Sequence, residues 1–378
     1  MTRTLEQTKA RAVQVSLQPP TTLGRAVTRL GFVQADPIRA PARAQDLMLR
    51  HRVSDYRLGD LDRHFVRLGI EEDFLYAYGF MPRATHRLIH PRRDLACADG
   101  THVPAGLAAE VLAFVRERGI AHPRDLHAAF GGERVVNGWG GLSQATTSAL
   151  KTLHYYGLLR VARRQNGVRV YGVAPTYAES HPPEERLRLL VMLVTRILCP
   201  ISEPSLRGTL NLLTRGAPGL GRMHDAVLSL LKTGELERTE VDGEAYLWPA
   251  GLRVGKRAEP EDTVRFLAPF DPVVWDRRRF AHLWGWEYRF EAYTPPAQRR
   301  FGYYAMPILW RNEVIGWINI AAPDGKLAFE AGYASSTPKD REFRQALDAE
   351  LSRMAAFLTA DFPFTSPPGK GRSAQRSG

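Results

Sequence analysis

The constraint that narrows this chain most is a repeated order of local patterns: three short amphipathic stretches, then two strand-like runs joined by a tight turn. Its clearest copy lies between Ala105 and Ala174. GLAAEVLAFVRERG places Leu107, Val111, Leu112 and Val115 on one face at helical spacing. HPRDLHAAFG follows, with Pro123 suited to a first helical turn and Gly131 to a stop. SQATTSALKTLHYYG predicts a third helix that opens at Ser143. LLRVARRQNGVRVYGVA then reads as two strands joined at Asn166-Gly167, because both residues accept the positive φ of a two-residue hairpin turn.

A second copy runs from Pro183 to Ala250. PEERLRLLVMLVTRILC opens with acids, as a helix N-terminus favours, and SEPSLRGTLNLL offers Ser202 as a cap with Pro204 in the first turn. GRMHDAVLSLLKTGEL is the third helix, and LERTEVDGEAYLW is a hairpin with Asp242-Gly243 at its tip. That hairpin sets Glu237, Glu240, Asp242 and Glu244 against Arg238 alone, which suits a structural role. A more degenerate copy comes first: LEQTKARAVQVSL and TTLGRAVTRLG read as helices, LGDLDRHFVRLG as a short helical stretch, and EEDFLYAYGFMPRATHRLI as extended and aromatic. Repetition at about 70–80 residues is longer than a solenoid period.

Helix, helix, helix, hairpin is the order of a winged helix, with the third helix and the Arg-rich hairpin (the wing) as its reading parts. From about Glu259 the texture becomes strand-rich and aromatic, and DREFRQALDAELSRMAAFLTADF predicts a closing helix. The expected class is therefore α+β. Three tandem winged-helix modules fall at residues 1–100, 101–182 and 183–258, and a small β-sheet or barrel with its final helix at 259–362. The Pro/Gly/Ser-rich residues 363–378 read as a disordered tail.

Charge points to the partner. Lys+Arg exceed Asp+Glu by 52 − 40 = +12, and with 7 lysines in the chain, 45 of those cations are arginines. Guanidinium stays charged, pairs bidentately with phosphate and stacks on bases, so a polyanion, and a nucleic acid in particular, is the expected partner. No cofactor is expected. Cys97 and Cys199 lie far apart without a CxxC, and His51, His64, His86, His90 and His102 are scattered without an HExxH, which speaks against zinc and against a disulfide framework. No run of 18 apolar residues and no apolar leader is present, so a cytoplasmic, nucleoid-associated protein without a membrane partner is expected.

One pair of residues carries a possible chemistry. Gln34-Ala35-Asp36 puts an amide and a carboxylate two apart, on one face if the segment is extended. Such a pair can hold one water, with Asp36 as proton acceptor and Gln34 as aligning group; a capping Asp before Pro37 is the plain alternative. Arg39, Arg43, Arg50 and Arg52 follow and are candidates for gripping the strand under attack, while Arg163, Arg164 and Arg169 flank the wing tip. Asp271, Trp275 and Asp276 with Arg277, Arg278 and Arg279 fit fold and docking first. DNA contact by Arg277 and Arg278 comes second.

QADPIRAPARAQDLMLRHRV, LAPFDPVVWDRRR and YRFEAYTPPAQRRFGYYAMPILW together resemble the YcaQ-like, AlkZ-type winged-helix DNA glycosylases. The resemblance runs from about residue 20 to 360 and is most specific at Gln34 to Asp46 and Leu267 to Arg279. It implies three tandem winged helices with a C-terminal β-domain, and a metal-independent monofunctional glycosylase that excises N7-alkylated purines and unhooks interstrand crosslinks. The family motif is Gln-x-Gln or Gln-x-Asp, here Gln34 and Asp36. Two departures bear on lesion choice and DNA contacts: Gly79 and Phe80 fall near a position where relatives often carry a His-Glu pair, and GWINIAAPDGKLAF is nearly neutral where a basic strand is common. A tandem winged-helix transcription regulator without catalysis is the competing reading, since the fold alone decides nothing.

Overall fold

Helix α1 (Leu5–Ser16) starts the described chain and shows why local sequence chooses its ends: Thr4 and Gln7 close a reciprocal capping box over its first turn. The structure is a computed structural model that describes residues 4–136, 142–175, 181–252 and 261–359. Helix α2 (Leu23–Leu30) ends at Gly31, and strand β1 (Val33–Gln34) follows within three residues. Then come α3 (Ala44–Leu49), α4 (Asp60–His64), β2 (Ile70–Phe74), β3 (Tyr78–Pro82) and α5 (Arg83–Ile89). The three strands form an antiparallel sheet in the order β1-β3-β2. Its register sets Val33 opposite Phe80 and Gln34 opposite Gly79. A Cβ at Gly79 would stand 2.3 Å from the Val33 carbonyl oxygen and 2.6 Å from the Phe32 ring, so the glycine admits β1 to the sheet.

In each of the two copies read most clearly from sequence, three helices lead to a terminal hairpin. In the first, α6 (Leu107–Arg118), β4 (Ile120–Ala121), α7 (Pro123–Phe130), β5 (Arg134–Val136), β6 (Leu142–Gln144) and α8 (Ala145–Tyr155) lead to the hairpin β7 (Leu159–Gln165) and β8 (Val168–Val173). In the second, α9 (Pro183–Ile197), β9 (Ile201–Ser202), α10 (Glu203–Gly216) and α11 (Met223–Lys232) lead to β10 (Leu236–Val241) and β11 (Glu244–Pro249). Their sheets run β4-β8-β7 and β10-β11-β9. Both hairpin tips have positive φ at both residues: Asn166 at 51° with Gly167 at 81°, and Asp242 at 49° with Gly243 at 78°. Ser202 caps α10 as expected. Ser143 does not open α8; it lies in β6, and Gln144 is the residue before the helix.

The C-terminal part consists of β12 (Val264–Phe266), α12 (Arg277–Trp284), β13 (Met306–Trp310), β14 (Glu313–Ala321), β15 (Ala328–Tyr333) and α13 (Arg341–Leu358). Its strands make an antiparallel sheet, β12-β13-β14-β15, in which β15 does not pair back to β12 among the described residues. The sheet is open, and α13 covers it through Phe343, Leu351 and Met354. One apolar cluster joins this sheet to α2, α3, α6 and α8, so the site below sits where segments distant in sequence share a core. Helix α1 packs far along the chain: Ala12, Val13 and Leu17 belong to the aromatic cluster of Phe280, Trp284 and Trp317, and Lys9 pairs with Glu313 at 2.8 Å. The junction expected near residue 258 and the expected tail lie outside the described residues. No helix among the described residues is long and apolar enough to cross a membrane.

Candidate active site

Strand β1 holds Gln34 in place, because Ala35 N–H continues the ladder by donating to the Tyr78 carbonyl at 2.9 Å. The half-buried Gln34 side chain receives the Trp275 indole N–H on its Oε1 at 2.8 Å. An indole nitrogen only donates, so the amide oxygen faces Trp275 and the Gln34 N–H2 is turned away, with no partner among the described residues. Trp275 is itself braced edge-on against Tyr76, ring centroids 5.1 Å apart at 69°.

Asp36 is 8% exposed. Its Oδ1 accepts the Ile38 N–H at 2.8 Å, and its own N–H donates to Gln45 Oε1 at 3.2 Å, so the loop and not only the strand fixes it. Oδ2 has no hydrogen-bond partner among the described residues. Burial raises the Asp36 carboxyl above the ordinary aspartate value, and the Ile38 N–H offsets only part of that rise. The loop between α12 and β13 brings Tyr293 and Tyr304 within range of the Asp36 charge. Burial, then the Asp36 charge, pushes both phenols up, so both remain donors. The Tyr304 hydroxyl is buried without a partner. The carboxylate with its free oxygen and the oriented amide stand two residues apart on one segment, and the Tyr304 phenol feels the Asp36 charge. Together they can hold a water, take its proton and face a developing positive charge.

Most of the candidate arginines have other duties. Arg52 is buried and meets Asp271 through both ends of its guanidinium, at 2.8 and 2.9 Å, and also bonds Ser16 and Met48. Arg50 pairs with Glu350 of α13, and Arg43 with Asp46 and Asp62. Arg277 lies over the Tyr288 ring at 4.4 Å and donates to the Val274 and Pro269 carbonyls. These four dock segments, against the expectation of a DNA grip, because each guanidinium is consumed by acceptors inside the fold. The wing also folds inward: Arg164 and Arg169 both reach the buried Glu72 carboxylate of β2, at 2.5–2.8 Å. Arg163 and Arg39 remain exposed, the Arg39 guanidinium 3.6 Å from where a Cβ on Gly167 would stand, so loop and hairpin tip adjoin. Arg278 is exposed and pairs with Glu244 at 3.3 Å.

The histidines expected to be scattered are partly gathered. His86 on α5 and His90 just past its end both direct Nε2 to Asp73 Oδ2, at 3.2 and 2.7 Å, and the three ligand atoms lie within 4.8 Å of one another. Arg92 occupies the same carboxylate, at 3.0 Å to Oδ1. Burial alone would raise Asp73, but Arg92 and the surrounding imidazoles hold it well below the usual carboxylate range, while burial and His86 push His90 down to about 3. The group joins one carboxylate, one guanidinium and two imidazoles in a buried cluster. Arg92 also donates to the carbonyls of Phe74 and Gly216, each at 2.6 Å, and of Tyr155. Neither cysteine is disulfide-bonded. Sequence reading missed the Trp275 contact to Gln34; the only signal was its place in the second family-like segment.

The protein is a DNA glycosylase: the chain belongs to the AlkZ-like family, whose model, DNA glycosylase AlkZ-like, matches residues 27–357. Among solved structures, the Streptomyces sahachiroi DNA glycosylase AlkZ is similar to this chain over 99% of its length and 100% of the other, with a TM-score of 0.63 and 13% identity. That likeness is one of fold.

Proposed function

We propose that this chain is a monofunctional glycosylase for cationic N7-alkylated purines in duplex DNA, and that the same site unhooks interstrand crosslinks made through N7. The observation that carries the reading is the Gln34 amide locked by Trp275 beside an Asp36 carboxylate with a free oxygen. An N7-alkylpurine already bears positive charge. When the C1′–N9 bond breaks, its electron pair neutralises the departing base, and the positive charge passes to an oxocarbenium-like sugar. The Asp36 carboxylate steadies that sugar, and the Gln34 N–H2 aligns a water. The water oxygen bonds C1′ and its proton goes to Asp36 Oδ2. No lysine stands in the Gln34–Asp36 motif, so a Schiff-base step has no nucleophile there.

The helix–helix–helix–hairpin order of the two clear copies supports winged-helix modules, with a third at the N-terminus built around β2 and β3. A monomer gripping duplex DNA around the Arg39 and Arg163 surface completes the reading. The test is incubation with a duplex containing 7-methylguanine, with mass spectrometry of the released base. Free 7-methylguanine from wild type, reduced by about 10²-fold or more in Asp36→Asn, is expected. Sequence-preferring binding without base release would favour a regulator.

A further inference from the structure

We propose that Tyr293 is a wedge that enters the base stack of duplex DNA beside the nucleotide under attack, a role that rests on the reading of Asp36 as the catalytic carboxylate. Tyr293 is 79% exposed, more than any other large apolar or aromatic side chain described. Its outer face is therefore open to a partner that approaches this side of the fold.

Its foundation is rigid. The Tyr293 ring stands edge-on to Phe290, centroids 6.1 Å apart at 78°. Phe290 is itself edge-on to Tyr304 at 5.3 Å and to Phe270 at 5.0 Å, which ties the column to the core that contains Ala35 and Ile38. The backbone beneath is fastened as well. Thr294 N–H donates to the Glu291 carbonyl at 3.0 Å, and Arg299 Nε–H donates to the Thr294 carbonyl at 2.8 Å. The buried Glu291 carboxylate accepts the Phe301 N–H at 2.7 Å. An exposed ring on a braced turn loses little freedom when it inserts, which is what a stacking probe requires. Ala35 and Ile38 of that core stand on either side of Asp36 in the chain, so a ring inserted from this column would open the stack on the Asp36 side of the fold. Apolar side chains that enter a base step unstack it and expose the neighbouring nucleotide.

The experiment has two arms. In the first, 2-aminopurine is placed next to a 7-methylguanine in duplex DNA and its fluorescence is read on binding by Asp36→Asn and by Asp36→Asn/Tyr293→Ala. A rise with the single variant and none with the double variant is expected. An equal rise in both overturns the wedge. In the second, single-turnover excision is compared for wild type, Tyr293→Ala and Tyr293→Phe on the duplex and on the same strand alone. Tyr293→Ala should slow excision by about 10- to 100-fold on the duplex, the scale of removing one base–aromatic stack, and far less on the single strand, while Tyr293→Phe holds. Equal losses on both substrates, or none, overturn the wedge. The fluorescence arm requires no cutting, so it decides on Tyr293 even where Asp36→Asn cuts at the wild-type rate and the catalytic reading itself falls.

Discussion

Replacing Trp275 by phenylalanine keeps an aromatic ring against Tyr76 and deletes one donor, the indole N–H that holds Gln34 Oε1 at 2.8 Å. A neutral hydrogen bond of this kind contributes about 0.5–1.5 kcal/mol net. If that stabilisation is what keeps the amide turned correctly in the transition state, the rate falls by about 2- to 13-fold, since about 1.36 kcal/mol is one decade. A ceiling applies: Trp275 cannot cost more through Gln34 than loss of the Gln34 side chain, for which lost positioning suggests about 10-fold. Single-turnover excision of 7-methylguanine should therefore be measured for Trp275→Phe, Gln34→Ala and the double variant, with duplex affinity alongside. The double variant should be no slower than Gln34→Ala, because the indole has nothing left to orient, and affinity should be unchanged in all three. Losses that multiply would refute action through Gln34. They would mean that Trp275 serves the site by another route, such as packing.

The remaining expectations concern charge. Burial raises the Asp36 carboxyl, so the acid limb of the excision rate should lie above the ordinary aspartate value, and Asp36→Asn should abolish that limb. Because the folded state disfavours the ionised form, Asp36→Asn should also melt higher than wild type at neutral pH, and a lower melting temperature would contradict the burial argument. Glu72→Ala strands Arg164 and Arg169 and should cost about 3 kcal/mol in denaturant titration, at the low end for a broken buried pair because Arg169 keeps 29% of its side chain exposed. Burial alone would raise Glu72, yet Arg164 and Arg169 hold it below the usual glutamate value. Its stabilisation is thus complete above the unfolded glutamate pKa and is lost as pH falls through the lowered folded value; a variant whose deficit persists unchanged in acid would contradict this. Charge reversal at Arg39 and Arg163 should flatten the slope of log affinity against log salt by about 0.9 for each phosphate that is no longer neutralised, so an unchanged slope in the pair would remove them from the DNA surface.

The local parts of this fold were open to sequence reading because their causes are local. Asn166-Gly167 and Asp242-Gly243 dictate their turns through backbone sterics, and Ser202 caps α10 by accepting the Ser205 N–H three residues on. The β5–β6 hairpin escaped because each strand is three residues long, too short for a period to register. The arginines misled for a different reason. Arg164 meets a carboxylate 92 positions away, Arg52 one 219 away and Arg50 one 300 away, and nothing in a run of basic residues announces such partners. For the site, the Gln34–Asp36 spacing was visible. The Trp275 that orients Gln34 stands 241 positions off, and Tyr293 and Tyr304 come from yet another loop.

Arg92 has a consequence for how this chain can change over evolutionary time. In a string of repeats each unit answers only to its neighbours, so one can be trimmed, duplicated or exchanged at moderate cost. Here a single guanidinium, fully enclosed, is shared by Phe74 before the β2–β3 turn, Tyr155 at the end of α8 and Gly216 at the end of α10. All three acceptors are main-chain carbonyls. Apart from Asp73, whose carboxylate Arg92 also meets, and Gly216, where a Cβ would stand 1.9 Å from the Leu75 carbonyl oxygen, side-chain drift leaves the arrangement untouched, whereas inserting or deleting one residue at any of the three ends moves an oxygen and abandons a buried cation. The lengths of these segments are consequently locked together, although most of their side chains are free to diverge.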